Sequence, residues 1–369
     1  MPTTIGVEEE FVLLDPATLT PVERAEDARD ELGRRRDRPG TVTGEFFLSQ
    51  IEYASPVCTT TAEALDSLRE FRSDLAGWAA GAGLQAAGVG MPYRVLSDAH
   101  VTGGERYRDI ASHFGLIVPD HQINGLHVHV GVDSRERAIR ALNRLRPWLP
   151  SLLALSANSP FWQAADTGFD SWRAIHSRRW TTYGVPPPFH DAADYDRRIS
   201  ALHGVGGTSD AGTLNWVVRP SARYPTVEVR VFDAQLDAVS SVALAALVRG
   251  LVVTEPRTEP PLADPELLDS ALWHAARNGL SGELLQPCTG RLQPAAVVVA
   301  TLLDEAARGL AEHGDTELVE STVDRILSTG NGATRQRQAF ARGGVAALSE
   351  LTGELGGQTD TVRRRRTRP

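Results

Sequence analysis

The stretch that most restricts what this chain can become is Asn124-Gly125-Leu126-His127-Val128-His129-Val130-Gly131. Apolar and ionisable residues alternate in it, and valine recurs at every second place, so the pattern predicts a short half-buried strand. Side chains two apart on a strand share a face. His127 and His129 therefore point one way, while Leu126, Val128 and Val130 point into a core. Two imidazoles on one sheet face suit a metal or a phosphate. The plain alternative is one ligand and one half-buried histidine.

Three other predicted strands each present carboxylates. Thr4–Leu14 is apolar at both ends and acidic between, with Glu8 and Glu10 on one face and Glu9 on the other. Unpaired carboxylates at the border of a core are costly and call for cations. Thr43–Tyr53 sets Glu45 and Glu52 among aromatic and aliphatic neighbours. Seven apart, they would face opposite sides of one straight strand, so two short strands with a break near Leu48–Gln50 are expected. Tyr224–Asp233 alternates most cleanly, with Val227, Val229 and Val231 toward the core and Glu228, Arg230 and Phe232 on the other face. Just upstream, Thr213–Pro220 reads as a strand carrying Trp216 and Arg219 and ending at proline.

Between and after the strands the pattern turns helical. Thr60-x-x-Glu63 is a capping box that opens a helix. Helices are also expected from Glu105 to about His113, from Asp133 or Ser134 to about Leu145, and over Ala238–Val253, Pro294–Ala311, Asp315–Leu327 and Thr334–Leu355. Residues 23–39 are highly charged and read as an exposed connection, 203–212 as a glycine-rich loop able to serve as a lid, and Thr254–Pro265 as a proline-rich loop. The Gly330–Arg337 turn is either an anion cradle or a simple cap. Arg173 follows Trp172, where surface cation–π packing is the plain reading.

The 369 residues, 41% of them hydrophobic, are enough for one large α+β domain with a substantial core. No run approaches the ~18 apolar residues of a membrane span. The first residues lead straight into an acidic strand, so no signal peptide is expected. Cys58 and Cys288 form neither a zinc spacing nor a disulfide framework, which favours the cytoplasm. The chain has no lysine; all 38 basic residues are arginine. That excludes a Walker A lysine, a kinase lysine and Schiff-base chemistry. The net charge of −9 argues against nucleic-acid binding.

Glu8, Glu10, Glu45, Glu52, His127, His129 and Glu228, with Arg219 and Arg230 nearby, form a carboxylate-rich constellation. It favours hard divalent ions, Mg²⁺ or Mn²⁺, over Zn²⁺. The carboxylates are too many for one Mg²⁺, so two or three ions are expected, and clustered Mg²⁺ commonly accompanies a polyphosphate. Arginine would supply the remaining positive charge, bidentate to phosphate or carboxylate.

Six motifs in order resemble the type-2 glutamate–cysteine ligases, also called carboxylate–amine ligases and related to glutamine synthetase: Gly6–Phe11, Glu45-Phe46-x-x-x-Gln50-x-Glu52, Gly125–Gly131, Ala157–Trp162, Arg219-Pro220-Ser221 and Pro225–Arg230. The resemblance runs from about residue 4 to about residue 350. It implies one catalytic domain over 1–355, an α+β fold with a curved, mainly antiparallel sheet and helices packed on one side, followed by a disordered basic tail over 356–369. It implies ATP as co-substrate, phosphoryl transfer to a glutamate-like carboxylate, and attack on the acyl phosphate by cysteine or another amine. By motif match Glu8, Glu10, Glu45, Glu52, His127 and Glu228 would hold the metals, with Glu228 and Arg230 catalytic. Arg230 and Trp216 would bind substrate, and Arg219, Arg173 and His129 would contact nucleotide phosphate. The family suggests a homodimer. Asn124 stands where members often have cysteine, Met91-Pro92 where they have His-Pro, and Trp216-Val217 where they have Trp-Asp. These departures spare the proposed metal ligands and leave the amine and the acid open. Two other readings also stand: a metal-dependent hydrolase using His127 and His129, and a non-catalytic binding protein. Amine-dependent ADP release separates the first reading from both.

Overall fold

The computed structural model describes residues 3–35, 39–208, 211–254 and 263–355. The expected tail and most of the proline-rich loop lie outside the described residues.

A seven-stranded antiparallel sheet is built from β1 (Ile5–Leu14), β2 (Thr41–Gly44), β3 (Gln50–Ala54), β4 (Gln85–Ala87) and β5 (Gly125–Gly131). After a small hairpin, β6 (Phe161–Trp162) with β7 (Ala165–Asp166), the sheet is completed by β8 (Val218–Pro220) and β9 (Thr226–Asp233). A second hairpin, β10 (Glu283–Gln286) with β11 (Arg291–Pro294), lies apart from it. The sheet order is β2-β3-β1-β5-β9-β8, with β4 beside the far end of β1.

Alternation gives this sheet two chemically different faces. Val7, Phe11 and Leu13 of β1, Leu126, Val128 and Val130 of β5, and Val227 and Val229 of β9 are buried in one hydrophobic core. Each such side chain contributes about 1.5–3 kcal/mol, so the register of the central strands is strongly specified. The helices are α1 (Ala25–Leu32), α2 (Thr61–Gly81), α3 (Glu105–Phe114), α4 (Arg135–Leu145), α5 (Leu149–Ser156), α6 (Trp172–His176), α7 (Ala192–Gly204), α8 (Ala238–Val253), α9 (Pro265–Asn278), α10 (Ala295–His313), α11 (Thr316–Thr329) and α12 (Gly332–Gly353). Helices α2 and α8 pack on the apolar face, and α10 covers α8 from behind. That position explains why α8 is buried on nearly every side and mostly apolar, its Arg249 being paired with Asp315. No described helix is long and apolar enough to cross a membrane.

The capping box forms as expected: Thr60 Oγ accepts from the Glu63 amide at 3.2 Å, and the Glu63 carboxylate accepts from the Thr60 amide at 3.1 Å. Ser134 caps α4. At Gly330–Arg337 the cap reading holds, because Asn331 Oδ1 accepts from the Thr334 amide at 3.0 Å and Arg337 is engaged by Asp166 and Asp170. Three expectations need correction. The charged segment at 23–39 contains α1, whose Ala25, Ala28 and Leu32 face the core. The helix expected over 334–355 is interrupted at Gly343 and Gly344, the latter at φ 61°. Phe232 does not share a face with Glu228: three residues of β9 span two of β5 between the Val229–Val128 and Phe232–Leu126 pairs. This bulge turns Phe232 into the core.

Candidate active site

The polar face of the sheet carries the ionisable groups. Across neighbouring strands Glu8 faces His127, Glu10 faces Glu52, His129 faces Glu228, and Arg219 also faces Glu228. Glu45 follows directly on β2, and the turn into β3 brings it back beside Glu52, closed by a 3.2 Å hydrogen bond from the Glu45 amide to the Gln50 carbonyl. The expected break between two short strands is therefore what lets two glutamates seven apart converge. Donor atoms of Glu10, Glu45 and Glu52 lie within 4.8 Å of one another. The same holds for Glu8, Glu52 and His127, and for Glu8, His129 and Glu228. The three sets overlap through Glu8 and Glu52. Six residues expected to hold metal are thus brought together, and His129, expected at phosphate, joins the same row.

The charge balance along this row is uneven. Burial raises Glu45 well above the usual carboxylate range, and the charges of Glu10 and Glu52 push it further. Burial and the charges of Glu8 and Glu10 push Glu52 up to about 8. Among the described residues no guanidinium pairs with either; Glu52 has only the Thr43 hydroxyl, at 3.1 Å. Burial also acts on Glu8, but His127 and His129 outweigh it and hold Glu8 below its ordinary value. Glu228 is likewise buried, yet Arg230 and Arg219 hold it low. Burial and the neighbouring Arg230 lower His127, favouring the neutral imidazole that ligates metals. Like-charged carboxylates gathered where no guanidinium pairs directly with Glu45 or Glu52 among the described residues fit a hard divalent ion.

The arginines differ in what they have left to offer. Arg219 is bidentate to Glu228, at 3.0 and 3.2 Å, and its Nη1 reaches the carbonyls of Gly212 and Leu214. Its hydrogen bonds therefore orient Glu228. Arg230 hydrogen-bonds Glu228 and stands 3.4 Å from His127 Nδ1. Arg173 is 5% exposed, and its Nε and Nη1 make no hydrogen bond. It lies 3.8 Å from Asp233, which is fixed by the Asn158 amide and the hydroxyls of Ser159 and Ser171 at 2.7–2.8 Å. The Asn-Ser-Pro turn thus helps to place Arg173. A Cβ on Gly125 would sit 2.6 Å from Arg173 Nη2 and 3.0 Å from His127 Nε2, so the strand needs glycine there. Trp216 is not brought to the row; it packs against Phe189 and Tyr195.

Three adjoining cavities follow the row. One of ≈ 370 Å³ sits over Glu8, Glu52, His129 and Glu228. One of ≈ 260 Å³ extends past Glu45 and Arg173 to His121 and Trp180. One of ≈ 620 Å³ opens beyond Glu8 and His129, lined by Ile5, Val7, Pro56, Val57 and Pro225. Behind the sheet, Glu9 points the other way and forms a buried bidentate pair with Arg72 at 2.7 and 2.9 Å. Arg72 also reaches the carbonyls of Gln235 and Leu236, just past β9.

Residues 4–360 match glutamate–cysteine ligase family 2. The chain is 38% identical over 361 residues to a protein of Nocardia farcinica that carries the provisional name glutamate–cysteine ligase 2-1, covering 96% of this chain and 93% of the relative. It is 41% identical over 345 residues to a similarly named protein of Mycolicibacterium vanbaalenii, covering 92% and 93%. The chain belongs to glutamate–cysteine ligase family 2. Its fold is shared with the glutamate–cysteine ligase of Francisella tularensis, solved in complex with AMP, at TM-score 0.68 and 13% identity over 97% of this chain and 89% of that one. It is shared too with a bifunctional glutathione synthetase of Pasteurella multocida, at TM-score 0.69 and 15% identity over 96% and 52%. Within this family member, Asn124 serves the fold, accepting from Gln50 Nε2 at 2.8 Å and donating to the Val89 carbonyl at 3.2 Å. The motifs did not point to His121, Trp180, Asn215 or Tyr107 as cleft residues, since each comes from a connecting segment or helix placed only by the tertiary fold.

Proposed function

We propose that this chain is an ATP-dependent carboxylate–amine ligase that activates a glutamate-like acid as an acyl phosphate. The observation that carries the reading is the row of three overlapping donor sets along one sheet face. Glu10, Glu45 and Glu52 would hold one Mg²⁺, and Glu8, His127, His129 and Glu228, with Glu52, one or two more. Bound there, the ions would neutralise the nucleotide's terminal phosphates and draw charge from the oxygens around the transferred phosphorus.

The chain's own residues supply position. Arg230, on the bulge of β9, would meet the transferred phosphoryl group or the acceptor carboxylate with a planar fork. Arg219 would keep Glu228 ionised and aimed, and, lining the ≈ 370 Å³ cavity with one Nη2 N–H left over, would also meet a nucleotide phosphate. Arg173, which lines the ≈ 260 Å³ cavity, would take a substrate carboxylate there. The nucleotide would enter from the larger apolar cavity, and the acid and amine from the Arg173 side. A carboxylate oxygen of the acid bonds to the γ-phosphorus as the bond to ADP breaks. The amine nitrogen then bonds to the acyl carbon, phosphate departs, and the nitrogen loses its proton. Buried Cys58 and unpaired Cys288 suit a reducing cytoplasm.

Hydroxylamine tests this reading without knowledge of the natural amine, because it converts an acyl phosphate into a hydroxamate. With ATP, Mg²⁺ and a panel of acids including glutamate, the expected result is hydroxamate formed in step with ADP. Absence of both products with every acid would overturn the ligase reading.

A further inference from the structure

The hydrogen bonds behind Arg173 converge on one carboxylate. Asp233 ends β9 and is fully buried. Its Oδ2 accepts from the Asn158 amide at 2.8 Å and from Ser159 Oγ at 2.7 Å, and its Oδ1 accepts from Ser171 Oγ at 2.8 Å. Each serine also takes a backbone amide of α6. Ser159 Oγ accepts from the Arg173 amide at 3.1 Å, and Ser171 Oγ from the Ala174 amide at 3.2 Å. The two hydroxyls are therefore relays, donating to Asp233 and accepting from the first turn of the helix that carries Arg173. A helix of five residues does not hold itself, so its place is set by what it is tied to.

Packing leaves the Asp233 carboxylate little room to move. A Cβ on Gly90 would lie 2.6 Å from its carboxyl carbon. The segment around the two serines is also held by α12. Asn331 Nδ2 donates to Asp170 Oδ2 at 3.0 Å, Arg337 pairs with Asp170, and Gln336 Nε2 donates to the Asn158 carbonyl at 2.9 Å. The Asp170 carbonyl in turn accepts from the Ser159 amide at 3.1 Å. Between Asp233 and Arg173 themselves the nearest approach is 3.8 Å, an ion pair beyond hydrogen-bond distance. Asp233 therefore acts on Arg173 mainly through the serines and the backbone.

We infer that Asp233 is a positioning residue for the acid substrate: through Ser159 and Ser171 it fixes the first turn of α6 and so aims the Arg173 guanidinium at the carboxylate that enters the ≈ 260 Å³ cavity. This rests on the ligase reading and on Arg173 as that carboxylate's partner. A guanidinium fork binds a carboxylate only in a narrow range of orientations, so a small tilt of α6 weakens the contact.

The test measures hydroxamate formation by the full-length chain with Mg·ATP, hydroxylamine and a varied concentration of the acid. Asp233→Asn keeps the shape but turns an NH₂ toward groups that donate, so at least one of the three donors loses its partner. The expected result is a KM for the acid raised about tenfold, with kcat and the KM for ATP within about threefold of wild type. A merely structural role would lower the amount of active enzyme, hence the apparent kcat, and spare KM. In an Arg173→Ala background, adding Asp233→Asn should leave the acid KM within about twofold of Arg173→Ala alone. Ser171→Ala is the milder change and serves if Asp233→Asn folds poorly; it should raise the acid KM about threefold or more. An unchanged acid KM, an equal rise in the KM for ATP, or a full further rise in the Arg173→Ala background overturns the inference. These outcomes leave the ligase reading intact, which fails instead if the wild type forms no hydroxamate.

Discussion

Replacing Glu52 by glutamine exposes how the carboxylate cluster exchanges protons for metal. Glu52 stands near pH 8, against an ordinary value of 4.5, because burial and the charges of Glu8 and Glu10 disfavour its ionised form. The folded state therefore holds this proton more tightly than the unfolded chain. Without metal, the associated stability is fully present below about pH 4.5 and is lost as pH rises toward 8. At 1.36 kcal/mol per pH unit, the difference between 4.5 and 8 sets a ceiling of ~5 kcal/mol, lowered by solvent at the carboxyl's open edge. Glu45 shifts in the same direction. A divalent ion must displace these protons, so apparent Mg²⁺ affinity below pH 8 should rise about tenfold per pH unit for each proton released. Calorimetric titration in buffers of different ionisation enthalpy counts those protons. Melting curves across this window, with chelator and with excess Mg²⁺, read the stability. The wild type should release one to two protons near neutrality, and Glu52→Gln about one fewer. Mg²⁺ affinity independent of pH, or identical proton release from wild type and Glu52→Gln, would refute the assignment of this cluster to a metal.

Other substitutions test the remaining parts. Arg230→Lys should lower kcat by about 10²-fold or more in the hydroxamate assay, because a point charge cannot reproduce the fork; near-normal turnover would remove Arg230 from the site. Glu228→Gln should lose Mg·ATP-dependent turnover with an unchanged circular dichroism spectrum. Glu228→Ala is the harsher change, since it strips a partner from two arginines at once. Arg72→Leu leaves Glu9 buried and uncompensated and should cost about 3–5 kcal/mol in urea unfolding; adding Glu9→Leu should restore most of it, and simple additivity would contradict a coupled pair. Gly125→Ala should depress activity while leaving the melting temperature within a few degrees, because the added methyl meets Arg173 and His127 rather than the core.

Much of the site was legible because it lies on strands of period two. The alternation at 124–131, 4–14 and 224–233 placed Glu8, Glu10, His127, His129, Glu228 and Arg230 on one face, and the pairing joins them. Glu45 was legible once a break was required between it and Glu52. What escaped depends on contacts between distant segments. The bulge that turns Phe232 inward leaves no mark in the alternation. Nothing local shows that the carbonyls of Gly212 and Leu214 hold Nη1 of Arg219. Trp216 lies near the strand's active end in sequence, but the aromatic packing with Phe189 and Tyr195 claims it. Helix α1 was hidden because three apolar residues carry its buried stripe in an otherwise charged segment.

A strand with alternating faces has two possible phases, and only one builds this cleft. Sliding β1 by a single residue would send Glu8 and Glu10 into the helices and bring Glu9 out in their stead. Arg72 accepts one carboxylate, from one direction, and thereby selects the phase. An insertion or deletion within Ile5–Leu14 should consequently be far more damaging than a substitution at its ends, since it puts the residues on its two sides into opposite phases.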